Sequence, residues 1–329
     1  AQIFRISLNN PEVTKVTDGV HDLGPINLKS GVLVSGIMSM AMAPEISAVD
    51  MKTGELKQLT NINKDIYQSI RMGKSEEKYI ITKDNSNLQM WIVYPPDFDP
   101  SKKYPALLFC NGGPQSTLDQ FWSYRWNFQM MASKGYIIFA PNRRGDAGFG
   151  QAWKEEISGD YGGKNMQDYL DATDAMAKEP YVDPSRMGAV GASYGGYSVF
   201  YLAGIHGGRF KVFISHCGMF DFTSWYGSTD ELWFPNKDIE GPYWNNPKSY
   251  RYSPHLRVEQ WDTPILIITG ANDFRIPYTQ SMEAFQATKL LNVPSRLLFF
   301  EDEYHFVTKP QNSVIWQKEF SEWLDTYLK

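Results

Sequence analysis

From about residue 76 onward, strand-length apolar runs alternate with stretches of helical composition, and few architectures accommodate such a pattern. The strand runs are Leu88–Tyr94, Ala106–Asn111, Ile137–Pro141, Met187–Gly191, Val212–Ser215, Ile265–Gly270 and Arg296–Phe300. The helical stretches between and after them are Phe121–Lys134, Lys164–Lys178, Tyr194–Ala203, Thr279–Leu291 and Ser313–Leu328. Strands that are apolar along their whole length are covered on both faces, so the alternation predicts a doubly wound, mostly parallel α/β sheet with helices on either side. In such a sheet, ligands gather at the carboxyl ends of the strands.

One turn in that pattern carries chemistry. Met187-Gly-Ala-Val-Gly191-Ala-Ser193-Tyr-Gly195-Gly196 places G-x-S-x-G between an apolar strand and a helix. A sharp strand-to-helix turn lifts its central side chain above the sheet edge, and the small flanking residues make room for it. Ser193 is therefore the expected nucleophile of an α/β-hydrolase. A serine hydroxyl needs a base, and the base needs a carboxylate to orient it; in this fold they follow the serine in the order acid, then histidine. The chain has five histidines, His21, His206, His216, His255 and His305. Only His305 also follows a plausible acid loop, since it sits directly after the run Arg296–Phe300. Asp273, in Gly270-Ala-Asn-Asp273 after the preceding strand, is the expected acid, with Asp221 and Asp302 as competitors. For the oxyanion, the backbone N–H of Tyr194 is one expected donor. The loop Asn111-Gly-Gly113-Pro114 supplies the other, through either the Gly113 N–H or the Asn111 side chain.

Residues 1–75 differ in texture. Ile3–Leu8, Val32–Val34 and Ile46–Asp50 read as short strands separated by turn residues, and "IFRISLNNPEVTKVTDG" and "ISAVDMKTGELKQLTN" look like two copies of one pattern. All-strand repeats of roughly forty residues suit propeller blades, so two units are expected: the tail of a β-propeller over 1–75 and a catalytic domain over 76–329. The alternative is a pair of isolated hairpins packed on the catalytic domain.

Composition removes several function classes. A net charge of −5 with scattered Lys and Arg gives no footprint for nucleic acid. The longest apolar runs fall far short of the ~20 residues that cross a bilayer as a helix. The two cysteines, Cys110 and Cys217, form neither a disulfide framework nor a zinc-ligand spacing. No phosphate-binding glycine loop is present, and the chemistry is complete without a metal or other cofactor. Aromatic residues make up 15% of the chain, a composition suited to a cleft that receives apolar groups. The first residues, Ala1-Gln-Ile-Phe, fit a processed product or a piece of something longer.

Asn111-Gly-Gly-Pro114, Asn142-Arg-Arg-Gly-Asp-Ala-Gly-Phe-Gly150, Gly159-Asp-Tyr-Gly-Gly163, Gly191-Ala-Ser-Tyr-Gly-Gly196, Asp273 and His305 together resemble the prolyl oligopeptidase family of serine peptidases. The likeness runs from about residue 85 to the end. It is strongest to the branch holding acylaminoacyl-peptidases and dipeptidyl-peptidase 5, through "GASYGGYSVFYLAG", "SPHLRVEQWDTPILIITG" and "KPQNSVIWQKEFSEWLD".

The resemblance implies a propeller joined to an α/β-hydrolase domain. It also implies peptide substrates, from which dipeptides with an apolar residue before the cut are released at a free N-terminus. Acylaminoacyl-peptidase or broad esterase activity is the alternative, and a non-catalytic binding module on a hydrolase scaffold is the rival of another class. Arg275 stands where the branch contacts the substrate backbone, and Phe220, Phe222 and Trp225 are candidates for the wall of the S1 pocket. A periplasmic or secreted location and a homodimer contact through Ser313–Leu328 are further expectations from the resemblance. Two positions depart from the branch: Asn111 replaces His or Gln before Gly-Gly-Pro, and Tyr304 replaces Gly before the histidine.

Overall fold

The computed structural model describes all 329 residues. The N-terminal part is wholly β apart from one short helix. β1 (Phe4–Ile6) and β2 (Val13–Lys15) form a hairpin, and β3 (Asp22–Lys29), β4 (Val32–Ser39), β5 (Met42–Val49) and β6 (Leu56–Gln58) form an antiparallel sheet in that spatial order. The two sequence copies fall on the β1–β2 and β5–β6 hairpins, and they close identically. In the first, Val16 N–H donates to Ile3 O and Ile3 N–H donates to Thr17 Oγ1; in the second, Leu59 N–H donates to Ile46 O and Ile46 N–H donates to Thr60 Oγ1. Each threonine thus locks the strand that lies 14 residues before it. This repeated bond is the physical content of the repeated sequence. The sheet has a small core of Ile3, Leu23, Leu33 and Val49, while Ile26, Leu28, Val32 and Ile46 remain exposed.

After α1 (Lys64–Ser69), the chain enters an eight-stranded sheet built from β7 (Ser75–Ile81), β8 (Asn87–Val93), β9 (Tyr104–Cys110), β10 (Ile137–Pro141), β11 (Val182–Ala192), β12 (Val212–His216), β13 (Ile265–Gly270) and β14 (Ser295–Phe300). Its order is β14-β13-β12-β11-β9-β10-β8-β7. The strands from β14 through β10 are parallel, and β8 and β7 are added antiparallel at one edge. Alternate side chains of each central strand enter different cores. From β9, Ala106, Leu108 and Cys110 join one apolar cluster and Leu107 and Phe109 the other; from β13, Ile265 and Ile267 are split from Leu266 and Ile268. This two-sided burial is what the uninterrupted apolar runs encode. The result is the α/β-hydrolase fold.

The covering helices are α2 (Phe128–Ser133), α3 (Gln151–Glu155), α4 (Lys164–Met176), α5 (Tyr194–Ala203), α6 (Phe222–Tyr226), α7 (Trp233–Asp238), α8 (Thr279–Leu290) and α9 (Pro310–Leu328). None is long and apolar enough to cross a membrane. The helix expected over Phe121–Lys134 is confined to its last turn and a half. Ser123 Oγ accepts from the N–H groups of Arg125 and Trp126, and Asn127 Oδ1 accepts from Met130 N. These short polar side chains draw the backbone into turns and start the helix only at Phe128. The freed segment 121–126 instead reaches the carboxyl edge of the sheet, where Phe121, Arg125 and Trp126 line a cavity.

Candidate active site

β11 ends in the turn that launches α5, and Ser193 sits at its apex with φ of 61° and ψ of −125°. A non-glycine residue rarely holds that conformation, which costs of order 1–3 kcal/mol and must be imposed by the surroundings. The flanking glycines show how. A Cβ on Gly195 would stand 2.1 Å from Cys110 O, and one on Gly191 would stand 2.5 Å from Gly195 O. Strand β9 and the first turn of α5 thus approach each other too closely for any side chain, and the elbow is held between them. Ser193 N–H donates to His216 O at 3.0 Å, tying the apex to the end of β12.

Two and three strands further along the same edge, Asp273 and His305 follow β13 and β14. His305 Nδ1 lies 2.7 Å from Asp273 Oδ2. Both side chains are largely buried, and Asp273 Oδ1 accepts from the N–H groups of Arg275 and Ile276 at 3.0 and 2.9 Å. The carboxylate is therefore fixed by its own loop and fixes the ring in turn. Ser193 and His305 line one cavity of about 500 Å³ at the carboxyl edge of the sheet.

The competitors for the acid are engaged elsewhere. Asp221 caps α6 by accepting from Thr223 N, and Asp302 pairs with Lys309 and Asn312. Among the other histidines, His216 is packed between Trp126 and Trp316 with neither ring nitrogen bonded, and His206 meets Thr263.

Behind the His305 ring, Cys217 Sγ lies 4.0 Å from Nε2, on a residue with φ of 42°. Cys217, Asp273 and His305 place ligand-type atoms within 4.8 Å of one another. Both Asp273 oxygens are already accepting, however, which leaves two donor atoms where a structural zinc takes four. Burial is the largest influence on the His305 ring and on its own would lower its pKa. The Asp273 carboxylate, 2.7 Å from Nδ1, opposes it and holds the imidazole above its ordinary 6.5.

A base must be neutral to accept a proton, so the acid limb of kcat/KM for ester hydrolysis is expected above pH 6.5. A limb at or below pH 6.5 would show that the carboxylate does not hold the proton on the ring. The same raised value favours the folded protein below pH 6.5, and that contribution fades as pH rises through the folded-state pKa.

The loop after β9 resolves an alternative left open by sequence. Asn111 Nδ2 donates to Ser116 Oγ at 2.8 Å and to Asp146 Oδ1 at 3.0 Å, so both of its hydrogens point into the protein. The Asn111 side chain is thus a loop brace and not an oxyanion donor. The backbone N–H groups of Gly113 and Tyr194 make no hydrogen bond within the protein. A Cβ on neighbouring Gly112 would lie 3.7 Å from Ser193 Cβ, which measures how closely this loop passes the elbow. The Tyr194 hydroxyl points away, donating to Tyr161 O and Asn165 Oδ1.

Beneath the loop, the fully buried Arg143 donates to Pro114 O at 2.9 Å and Asp146 Oδ1 at 3.2 Å, and lies 4.7 Å over the Tyr194 ring. Neighbouring Arg144 is held by Asp168 and Asp84.

Of the aromatic side chains expected on the pocket wall, the cavity takes Trp225 but not Phe220 or Phe222. Phe220 packs on Phe200 and Trp261, and Phe222 on Tyr197 and Tyr161. Both are core residues: Phe220 precedes α6 and Phe222 opens it, whereas Trp225, buried in the same cluster, also reaches the cavity lining. Trp225 Nε1 donates to Arg275 O at 3.0 Å, which sets the indole beside the acid loop. Arg275 lines the cavity as expected. Sequence reasoning missed Met219, Glu231, Trp233 and Phe234 on the same wall; the irregular segment between β12 and β13 has no motif or periodicity to mark them.

A serine on a strained strand-to-helix elbow, with a carboxylate-bound histidine from later strands at the same sheet edge, defines the α/β-hydrolase class of serine hydrolases. Within that class the chain belongs to the prolyl oligopeptidase family, whose profile matches residues 122–329. It is 47% identical over 332 residues to a dipeptidyl-peptidase 5 of Porphyromonas gingivalis and 45% identical over 334 residues to one of Porphyromonas endodontalis. These alignments cover 99% and 100% of this chain and 48% of each relative. The chain therefore spans about half the length of the curated relatives it matches. Among solved structures, it is similar to acylaminoacyl peptidase of Pyrococcus horikoshii, with a TM-score of 0.89, 26% identity, and coverage of 97% of this chain and 51% of the other. Dipeptidyl peptidase 4 of P. gingivalis shares the fold, with a TM-score of 0.86 and 24% identity over 99% of this chain and 46% of the other.

Proposed function

We propose that these residues form the catalytic half of a serine peptidase that releases dipeptides from free N-termini, with an apolar residue before the cut. The observation that carries the reading is the His305–Asp273 contact of 2.7 Å at the edge of a cavity that also exposes Ser193. His305 Nε2 takes the Ser193 hydroxyl proton as Oγ attacks the substrate carbonyl carbon, and Asp273 stabilises the imidazolium. The N–H groups of Tyr194 and Gly113 receive the oxyanion. His305 then returns the proton to the departing amine, leaving an acyl-enzyme on Ser193. Water, deprotonated by the same ring, attacks the ester and frees the dipeptide.

Trp225, Met219 and Ile276 give the cavity apolar wall for the residue before the bond, and the names of the relatives at 45–47% identity support the dipeptidyl class. The antiparallel sheet β3-β4-β5-β6, with its repeated hairpin bond, fits the end of a propeller that would roof this cavity.

The test is hydrolysis by the full-length protein of a free-amino dipeptidyl 4-nitroanilide with leucine before the bond, against its N-acetyl counterpart. The free form is expected to have a kcat/KM at least about tenfold higher. Preference for the acetylated form would replace the assignment with an acylaminoacyl-peptidase.

A further inference from the structure

A peptidase that counts two residues from an N-terminus needs an anion to meet the substrate's ammonium group. On the reading above, we propose that Glu231 is that anion, so that the catalytic domain itself carries an ammonium-recognition site for the N-terminus of the substrate.

Glu231 is the one carboxylate among the residues lining the cavity that contains Ser193 and His305. One of its oxygens lies 3.0 Å from Arg275 Nη2, and the other makes no bond within the protein. The side chain is 27% exposed, which is open enough to be reached and buried enough that solvent screens it less than at the surface. The same cavity lining carries the apolar side chains of Trp225, Trp233 and Phe234. A charge-assisted hydrogen bond formed there is stronger than one in open water.

The position is fixed as firmly as the catalytic loop. Asp230 N–H donates to Phe274 O at 2.9 Å, Thr229 Oγ1 donates to Arg275 O at 2.8 Å, and Glu231 N–H donates to Thr229 Oγ1 at 3.1 Å. Segment 229–231 is thus bolted to residues 274–275, and these to Asp273 through the Arg275 N–H. The carboxylate keeps a set offset from the histidine and hence from the scissile bond.

The pairing with Arg275 also suits a dipeptidyl unit. In the residue before last, the amino nitrogen and carbonyl oxygen are separated by only two backbone atoms, so a guanidinium facing the carbonyl and a carboxylate facing the ammonium must be neighbours. A guanidinium and a carboxylate 3.0 Å apart on one wall provide that pair. An acylated N-terminus offers no charge to Glu231 and would leave its second oxygen unmatched, which builds discrimination into the site.

The test compares wild type, Glu231→Gln and Glu231→Asp in the full-length protein on the free-amino dipeptidyl 4-nitroanilide, its N-acetyl counterpart and 4-nitrophenyl acetate. Glu231→Gln is expected to lower kcat/KM on the free-amino substrate about tenfold to a hundredfold, mostly through KM, and to lower the free-to-acetyl ratio at least about tenfold. Glu231→Asp, which keeps the charge, is expected to recover part of the loss. If the wild type prefers the free-amino substrate and Glu231→Gln leaves the free-to-acetyl ratio unchanged, whether both rates fall together or neither does, Glu231 only supports Arg275 and this proposal is overturned alone. If the wild type does not prefer the free-amino substrate, the dipeptidyl reading fails and this proposal with it.

Discussion

Ser193→Ala is expected to lower kcat on the free-amino dipeptidyl anilide by about 10⁴- to 10⁶-fold, with the unfolding midpoint essentially unchanged. The backbone at this position is already held at φ of 61° by the contacts of Gly191 and Gly195 with β9 and α5, and alanine meets the same surroundings. The loss therefore comes from chemistry alone: no hydroxyl remains to form the acyl-enzyme. Asp273→Asn is expected to cost about 10⁴-fold, because an amide can donate to Nδ1 and so favour the tautomer with its proton on the wrong nitrogen. The measurement is nitroaniline release at saturating substrate beside a thermal unfolding scan. Retention of more than about 1% of wild-type kcat by Ser193→Ala would remove Ser193 from the reaction.

The second large effect is on stability. Arg143→Met is expected to destabilise the fold by about 3–5 kcal/mol, because Asp146 is fully buried and would be left as an uncompensated charge. The damage has a direction. Arg143 also holds Pro114 O, and Asp146 holds Asn111, so the loop that passes Ser193 is expected to loosen and catalysis to fall along with stability. The double replacement Arg143→Met with Asp146→Leu removes both charges and should recover much of the stability, but not the activity, since Asn111 then lacks its partner. Urea unfolding midpoints of the two variants decide this. A single replacement costing under 1 kcal/mol would show that the buried pair does not hold the loop.

What could be read from sequence follows the range of the interactions concerned. The sheet was legible because each central strand is apolar on both faces, and β9 and β13 show why: adjacent residues enter different cores. The order serine, acid, histidine was legible because each lies directly after an apolar strand, and with five histidines in the chain few alternatives arise. The role of Asn111 was not, since it depends on Ser116 and on the distant Asp146. Nor could sequence say which of Phe220, Phe222 and Trp225 faces the cavity; a five-residue helix has no period long enough to read, and the packing of Tyr197 and Trp261 decides it. Glu231 escaped because it stands in an irregular stretch, where only its docking on 274–275 gives it meaning.

The hydrolytic groups and much of the cavity wall come from different parts of the chain, although Arg275 and Ile276 of that wall belong to the acid loop itself. Ser193, Asp273 and His305 follow β11, β13 and β14, whereas Met219, Trp225, Glu231, Trp233 and Phe234 all lie in the single excursion between β12 and β13. Substitutions in that one stretch can therefore alter much of the wall while Ser193, Asp273 and His305 and the strands that carry them stay unchanged.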